Sequence, residues 1–140
     1  MSSELAASLL NQTMSLAGQI SGRMQDGLDR LDLTAPLANV LWLLRPDADP
    51  LSLRQIAGLL HCDPSNVTLL SAKLEQRGLA ERRPHPQDGR VRTLVLTEAG
   101  EEVRERLLAS VVRHSPLAGL TLKEQQQLHA LLGKAIDNAF

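Results

Sequence analysis

The stretch Ser52 to Gly100, SLRQIAGLLHCDPSNVTLLSAKLEQRGLAERRPHPQDGRVRTLVLTEAG, decides the fold. Ser52 with Gln55 three residues later is a capping box, in which each side chain satisfies a free amide of the other, and it opens a short helix through about Leu60. His61-Cys62-Asp63-Pro64 reads as a turn. The Asp63 carboxylate can accept from the first amides of the next helix, and Pro64 at its first position forfeits no bond. That helix runs to about Arg77, and Gly78 ends it because glycine takes the left-handed conformation at little cost. Leu79–Pro84 and Val91–Leu96 follow as two strand arms, with Val91, Thr93 and Val95 alternating against Arg92, Leu94 and Leu96. Pro84–Arg90 carries the Pro, Asp and Gly of a turn between them. Two short helices across a tight turn, then a polar hairpin, is the order of a winged helix-turn-helix.

The flanks supply more helices. From about Ser3 to Leu28, apolar residues such as Leu5, Leu9, Leu16 and Ile20 recur at roughly helical spacing. Thr34 can cap a second helix that begins near Pro36 and carries Leu37, Val40, Leu41 and Leu44 on one face. Arg45–Pro50 is a loop because its two prolines block continuation. Thr97 caps a fifth helix through about Arg113, Ser115–Leu120 breaks it, and Thr121 with Glu124 boxes the start of a last helix to about Asn138. The expectation is a mostly α fold of class α+β, with six helices and one β-hairpin in a single domain over residues 1–140.

Composition agrees. Of 140 residues, 43% are hydrophobic but only 1% aromatic, so the core must be aliphatic, and leucine and alanine favour helix. Net charge is −1, which argues against coating nucleic acid by bulk charge. The local balance is different. From Lys73 to Arg92, Lys73, Arg77, Arg82, Arg83, Arg90 and Arg92 face only Glu75, Glu81 and Asp88. A single cysteine rules out an internal disulfide and suits a reducing cytoplasm. No stretch has the pattern of a secretory leader or approaches membrane-spanning length, so the expected location is cytoplasmic, with no membrane partner.

These features point to double-stranded DNA as partner. In the fourth helix Val67, Leu70 and Leu74 should face the core. Ser65, Asn66, Thr68, Leu69, Ala72 and Lys73 then lie on the other side, where short polar side chains suit base edges and lysine suits a phosphate. Arg54 and Gln55 open the third helix, where backbone contacts are expected. Arg90 at the hairpin tip can enter a narrow, electronegative minor groove, which favours a weakly hydrated guanidinium. Asp88 would be repelled by phosphate, so its expected role is support: fixing the direction of Arg90 or bonding turn amides. Arg82, Arg83 and Arg92 are candidate backbone clamps. The plainer reading of each residue alone is a solvated surface side chain.

The segments Leu53-Arg54-Gln55-Ile56-Ala57, Pro64-Ser65-Asn66-Val67-Thr68 and Leu74-Glu75-Gln76-Arg77-Gly78-Leu79 resemble the MarR family of bacterial transcription regulators. So do Arg82-Arg83, Pro86-Gln87-Asp88-Gly89-Arg90 and Leu96-Thr97-Glu98-Ala99-Gly100. The close likeness covers about a third of the chain. It implies a homodimer whose first, fifth and sixth helices interlock, reading a palindromic site as a repressor and released in many relatives by a small-molecule effector or by oxidation. On this reading, residues 1–33 and 114–140 are dimerisation helices and residues 34–113 the winged helix-turn-helix with its connecting helices. The chain departs from the pattern at Leu69, where many relatives carry arginine, at Ala72, where many carry aspartate, and at His85, which replaces a usual acidic residue. These departures bear on the half-site sequence.

Other readings are thinner. Cys62 beside the recognition helix allows a redox-sensing regulator, against the plainer role of a small buried hydrophobe; Asp63 beside it would disfavour the reactive thiolate. His61, His85, His114 and His129 lack metal-ligand spacing, so no metal and no cofactor is expected. Trp42 could line an effector pocket, with core packing as the alternative. A winged helix that binds protein instead of DNA would predict a wing without arginines. No nucleophile with an adjacent base, no paired carboxylates in an apolar setting and no phosphate-cradling glycine loop suggests an enzyme.

Overall fold

The computed structural model describes residues 2–137. Its elements are α1 (Ser3–Arg30), α2 (Ala35–Leu43), β1 (Leu51–Ser52), α3 (Leu53–Leu60), α4 (Pro64–Gln76), β2 (Ala80–Pro84), β3 (Arg92–Leu96), α5 (Glu98–Arg113) and α6 (Leu122–Asp137). A 3-10 turn, Pro116–Gly119, precedes α6. The six expected helices and the hairpin are present, and the fold is a winged helix. The expected end of the last helix at Asn138 lies outside the described residues. One strand was not expected: Leu51 and Ser52 pair with Leu94 and Thr93, which extends the hairpin to an antiparallel sheet ordered β1-β3-β2.

The chain forms two compact units. One runs from Met24 to Ser110; the other takes the chain up to Arg23 and from Val111 on. The first holds a continuous aliphatic core. Leu28 closes the end of α1, α2 buries Leu37, Ala38, Val40 and Leu41, and α3 buries Ile56 and Ala57. Val67, Leu70 and Leu74 of α4 are buried as their spacing requires, and Leu94 and Leu107 complete the cluster. Each of the Leu, Ile and Val side chains contributes about 1.5–3 kcal/mol relative to exposure. Ser71 is fully buried as well, tolerated because its hydroxyl donates to the Val67 carbonyl 2.7 Å away.

Local signals explain most boundaries. Gln55 N donates to Ser52 Oγ at 3.0 Å and Ser52 N donates to Gln55 Oε1 at 2.8 Å, so the capping box is closed. We expect Ser52→Ala to lose about 1 kcal/mol in urea unfolding with an unchanged slope; a larger loss would mean that Ser52 also anchors β1. His61 ends α3 in the left-handed region, at φ 52°, which turns the chain sharply into α4. Asp63 accepts from the Ser65 amide at 2.9 Å and from its hydroxyl at 2.8 Å. The amide bond first, and the hydroxyl second, hold the Asp63 carboxyl below its ordinary range. A lowered carboxylate helps folding above its unfolded value and loses that help as pH falls through the folded one, so this cap is intact at neutral pH.

Three expectations need correction. Thr34 has the extended backbone of a cap but its side chain makes no cap bond, so α2 starts at Ala35, with Pro36 in its first turn, without a side-chain cap. The strict alternation in the second hairpin arm fails: Thr93 and Leu94 are both buried, because β3 is the middle strand and Thr93 is covered from β2, where its hydroxyl donates to the Arg83 carbonyl at 2.9 Å. Trp42 is 37% exposed, so core packing does not describe it.

In the second unit the Arg23 guanidinium donates to the His114 carbonyl. Thr121 and Glu124 close a capping box on α6. Little else there is covered. Leu5, Leu9, Leu10, Met14, Val112, Leu122, Leu131, Leu132 and Ile136 are 41–72% exposed. A groove of about 450 Å³ is lined by Val112, Leu117, Leu120, Leu128 and Leu132, with Gln125 and His129 on its rim. No helix in the described residues is long and apolar enough to cross a membrane.

Candidate nucleic-acid interface

The helix-turn-helix is α3, the His61–Asp63 turn and α4; the wing is β2, its turn and β3. Because α4 buries Val67, Leu70, Ser71 and Leu74, geometry turns Ser65, Asn66, Thr68, Leu69 and Lys73 to solvent. Ala72 is half-buried at the edge of that face. Two hydroxyls on the face have committed their protons. Ser65 Oγ donates to Asp63, and Thr68 Oγ1 donates to the Pro64 carbonyl at 3.1 Å. Both oxygens can still accept. Asn66 and Lys73 keep their donors unengaged among the described residues.

The wing turn is held by its own backbone. His85 N donates to the Val91 carbonyl at 2.8 Å, and Val91 N to the Asp88 carbonyl at 3.0 Å. Gln87 N donates to His85 Nδ1 at 3.0 Å, so the histidine in the wing is a turn brace. Asp88 Oδ1 accepts the Arg90 amide at 3.1 Å. Of the two supporting roles considered for Asp88, the structure shows the bond to a turn amide. The Arg90 side chain is exposed and makes no bond or ion pair among the described residues.

The candidate cations fall into two groups. Arg54, Lys73, Arg90 and Arg92 are exposed and unpaired among the described residues. Arg82 pairs with Glu75 of α4, and Arg83 grips Glu81 with Nε at 3.0 Å and Nη2 at 2.5 Å. A phosphate must compete with those carboxylates, so Arg82 and Arg83 offer less net attraction than their number suggests. The Arg82–Glu75 pair also ties the wing to the C-terminal part of the recognition helix. Gln55 has spent its carbonyl oxygen on the capping box and keeps its amide protons.

Residues outside the expected set position this surface. Arg77 donates to the Asp32 carbonyl at 2.6 Å and the Leu31 carbonyl at 3.2 Å, fastening the end of α4 to the end of α1. Arg104 of α5 likewise caps α2 through the Leu41 and Trp42 carbonyls, both at 3.1 Å. An arginine past a helix end, like Arg77, or within a helix, like Arg104, is a weak sequence signal for such a role, since the carbonyls it meets are 45 or more residues away. Cys62 is half-buried in the turn, and its amide donates to the Ala57 carbonyl at 3.0 Å. Among the described residues no three His, Cys, Asp or Glu side chains gather as a metal site would require.

The MarR-family model matches residues 33–91, the span from the approach to α2 through the wing. The transcriptional repressor IacR of Pseudomonas putida is 28% identical over 123 residues, covering 86% of this chain and 73% of IacR. The repressor MdtR of Bacillus subtilis is 28% identical over 133 residues, 94% of this chain and 85% of MdtR. Among solved structures, CouR of Rhodococcus jostii RHA1 bound to p-coumaroyl-CoA superposes with a TM-score of 0.83 at 25% identity over 99% of both chains.

Proposed function

This chain belongs to the MarR family of winged helix-turn-helix transcriptional regulators, and on that premise we propose that it is a homodimeric repressor of a palindromic operator. Each α4 would lie in the major groove of one half-site and each wing tip would place Arg90 in the adjacent minor groove. The observation that carries this reading is the split of the cations. Arg54, Lys73 and Arg92, with Arg90 at the wing tip, are exposed and unpaired among the described residues, while Arg82 and Arg83 are held by Glu75 and Glu81. Phosphate contacts from the first three set register, and the side chains of α4 between them read bases.

Dimerisation is supported by the apolar side chains left in water in the unit built from both ends of the chain. Nine large ones are at least 41% exposed there, more than a soluble monomer tolerates in one region, and a groove lies among them. A second copy is the occupant that also supplies the second half-site. IacR and MdtR are named as repressors, which supports the same role for this chain. Release by a small organic effector completes the reading, supported by the p-coumaroyl-CoA held by CouR. Trp42, part of whose ring is open to solvent, is the residue we assign to contact that effector.

The test is binding to duplex DNA from the chain's own upstream region at several salt concentrations, on protein whose mass is checked by sedimentation. Three phosphate-facing cations per protomer give a dimer a log–log salt slope of about −5. We expect a dimer that prefers one fragment over random duplex. A monomer, or equal affinity for every sequence with a slope near zero, would overturn the proposal.

A further inference from the structure

Leu69 is 55% exposed in the middle of the face that α4 turns outward, four residues after Ser65 and four before Lys73. All three therefore lie along one stripe of the helix. The stripe is otherwise polar, and more than half of Leu69 is open to solvent. Resting on the DNA-binding reading above, we propose that Leu69 is a specificity-determining residue that recognises the C5-methyl group of a thymine in the major groove.

The argument proceeds by elimination among base-edge features. A leucine side chain neither donates nor accepts a hydrogen bond. Pressed against the acceptors of guanine or the amino groups of adenine and cytosine, it strips water from polar atoms and returns no bond, which costs free energy at each. The thymine methyl is the apolar feature that B-DNA displays in the major groove, and contact with it removes two apolar surfaces from water at once. Leu69 is the large exposed apolar side chain of this face. Ser65 and Thr68 have committed their hydroxyl protons to Asp63 and to the Pro64 carbonyl, and Lys73 is suited to a phosphate. Asn66, three residues before Leu69, keeps an amide that can bond an adenine edge. The half-site is therefore expected to place an adenine and a thymine under adjacent positions of α4. Leu69 adds discrimination by favouring thymine and by penalising every edge that needs a hydrogen bond.

The experiment uses the full-length protein. Duplexes are first selected from a random pool, and each thymine of the selected half-site is then replaced singly, in both half-sites, by deoxyuridine. That change removes only the C5 methyl. One position is expected at which deoxyuridine weakens wild-type binding by about fourfold per half-site, the value of one buried methyl. Leu69→Ala is expected to bind the unsubstituted duplex more weakly, with the wild-type salt slope, and to be clearly less sensitive than the wild type to deoxyuridine at that position. Because Leu69 is exposed, its circular dichroism and melting temperature should match the wild type. The proposal is overturned if no thymine methyl matters to the wild type, or if Leu69→Ala stays as sensitive as the wild type to the same substitution. Failure to select any duplex would overturn the DNA-binding reading itself, a result distinct from both.

Discussion

Replacing Arg90 with alanine is expected to weaken operator binding by about thirtyfold or more while leaving the melting temperature unchanged. The two halves of this expectation come from different bonds. The wing turn is closed by the His85–Val91 and Val91–Asp88 backbone bonds and by Asp88 accepting the Arg90 amide. None of these uses the Arg90 side chain, so alanine keeps them all. The guanidinium itself is exposed and unpaired among the described residues, so nothing in the free protein loses a partner when it goes. A single base-reading arginine is worth about 1–3 kcal/mol, and a dimer loses two of them. Arg90→Lys separates charge from shape. If Arg90 only met a phosphate, lysine would restore nearly full affinity, whereas a narrow minor groove favours the weakly hydrated guanidinium and lysine recovers only part. Fluorescence anisotropy at fixed salt reads both variants. Unchanged affinity in Arg90→Ala would remove the wing from the interface.

What could be read in the sequence was local. The Ser52–Gln55 box, the Asp63 cap and Gly78 at φ 69° each need no more than a few neighbouring residues to take effect, so residue type and spacing were enough. The buried face of α4 followed from helical period for the same reason. What escaped depends on contacts across the fold. Two residues, Leu51 and Ser52, become a strand only because β3 lies alongside them, and no periodicity exists in a run of two. Thr93 looks like one polar step in an alternating arm until β1 and β2 flank its strand on both sides. The arginines show the same limit at the interface. Arg54, Lys73, Arg82, Arg83, Arg90 and Arg92 are indistinguishable as cations in the sequence. Only the folded chain brings Glu75 to Arg82, turns Glu81 onto Arg83, and spends Arg77 on the end of α1. For Trp42 the sequence left pocket and core both open, since a large ring on an apolar helix suits either, and only the fold shows that it lies off the buried face of α2.

Gly100→Ala is expected to destabilise the fold by about 3 kcal/mol or more, which is a large share of the 5–15 kcal/mol that typically holds a domain together. Gly100 sits in the first turn of α5, fully buried, with the backbone of Leu79 pressed against it. An added Cβ would fall far inside contact distance of the Leu79 carbonyl oxygen. It would also stand 2.8 Å from the carbonyl carbon and 3.2 Å from Leu96 Cδ2. Backbone cannot rotate away as the end of a side chain can. The Leu79 carbonyl is also held in place, since it accepts the Thr97 amide at 3.1 Å, while the Leu79 amide donates to the Leu74 carbonyl at 3.0 Å. Thr97 adds a second fastening through its hydroxyl, which donates to the Gly78 carbonyl at 2.6 Å and accepts the Gly100 amide at 3.1 Å. The Leu96-Thr97-Glu98-Ala99-Gly100 segment is thus a latch. Thr97 ties the start of α5 to the end of the helix-turn-helix, and the missing Cβ at Gly100 lets the two backbones meet. Forcing them apart displaces Leu79 and Ala80, and with them the root of β2, so Gly100→Ala should also weaken DNA binding in whatever fraction remains folded. Urea unfolding followed by circular dichroism measures the first effect directly. A midpoint equal to the wild type would show that α5 can move off Leu79 freely, and the latch would then have no part in setting the wing.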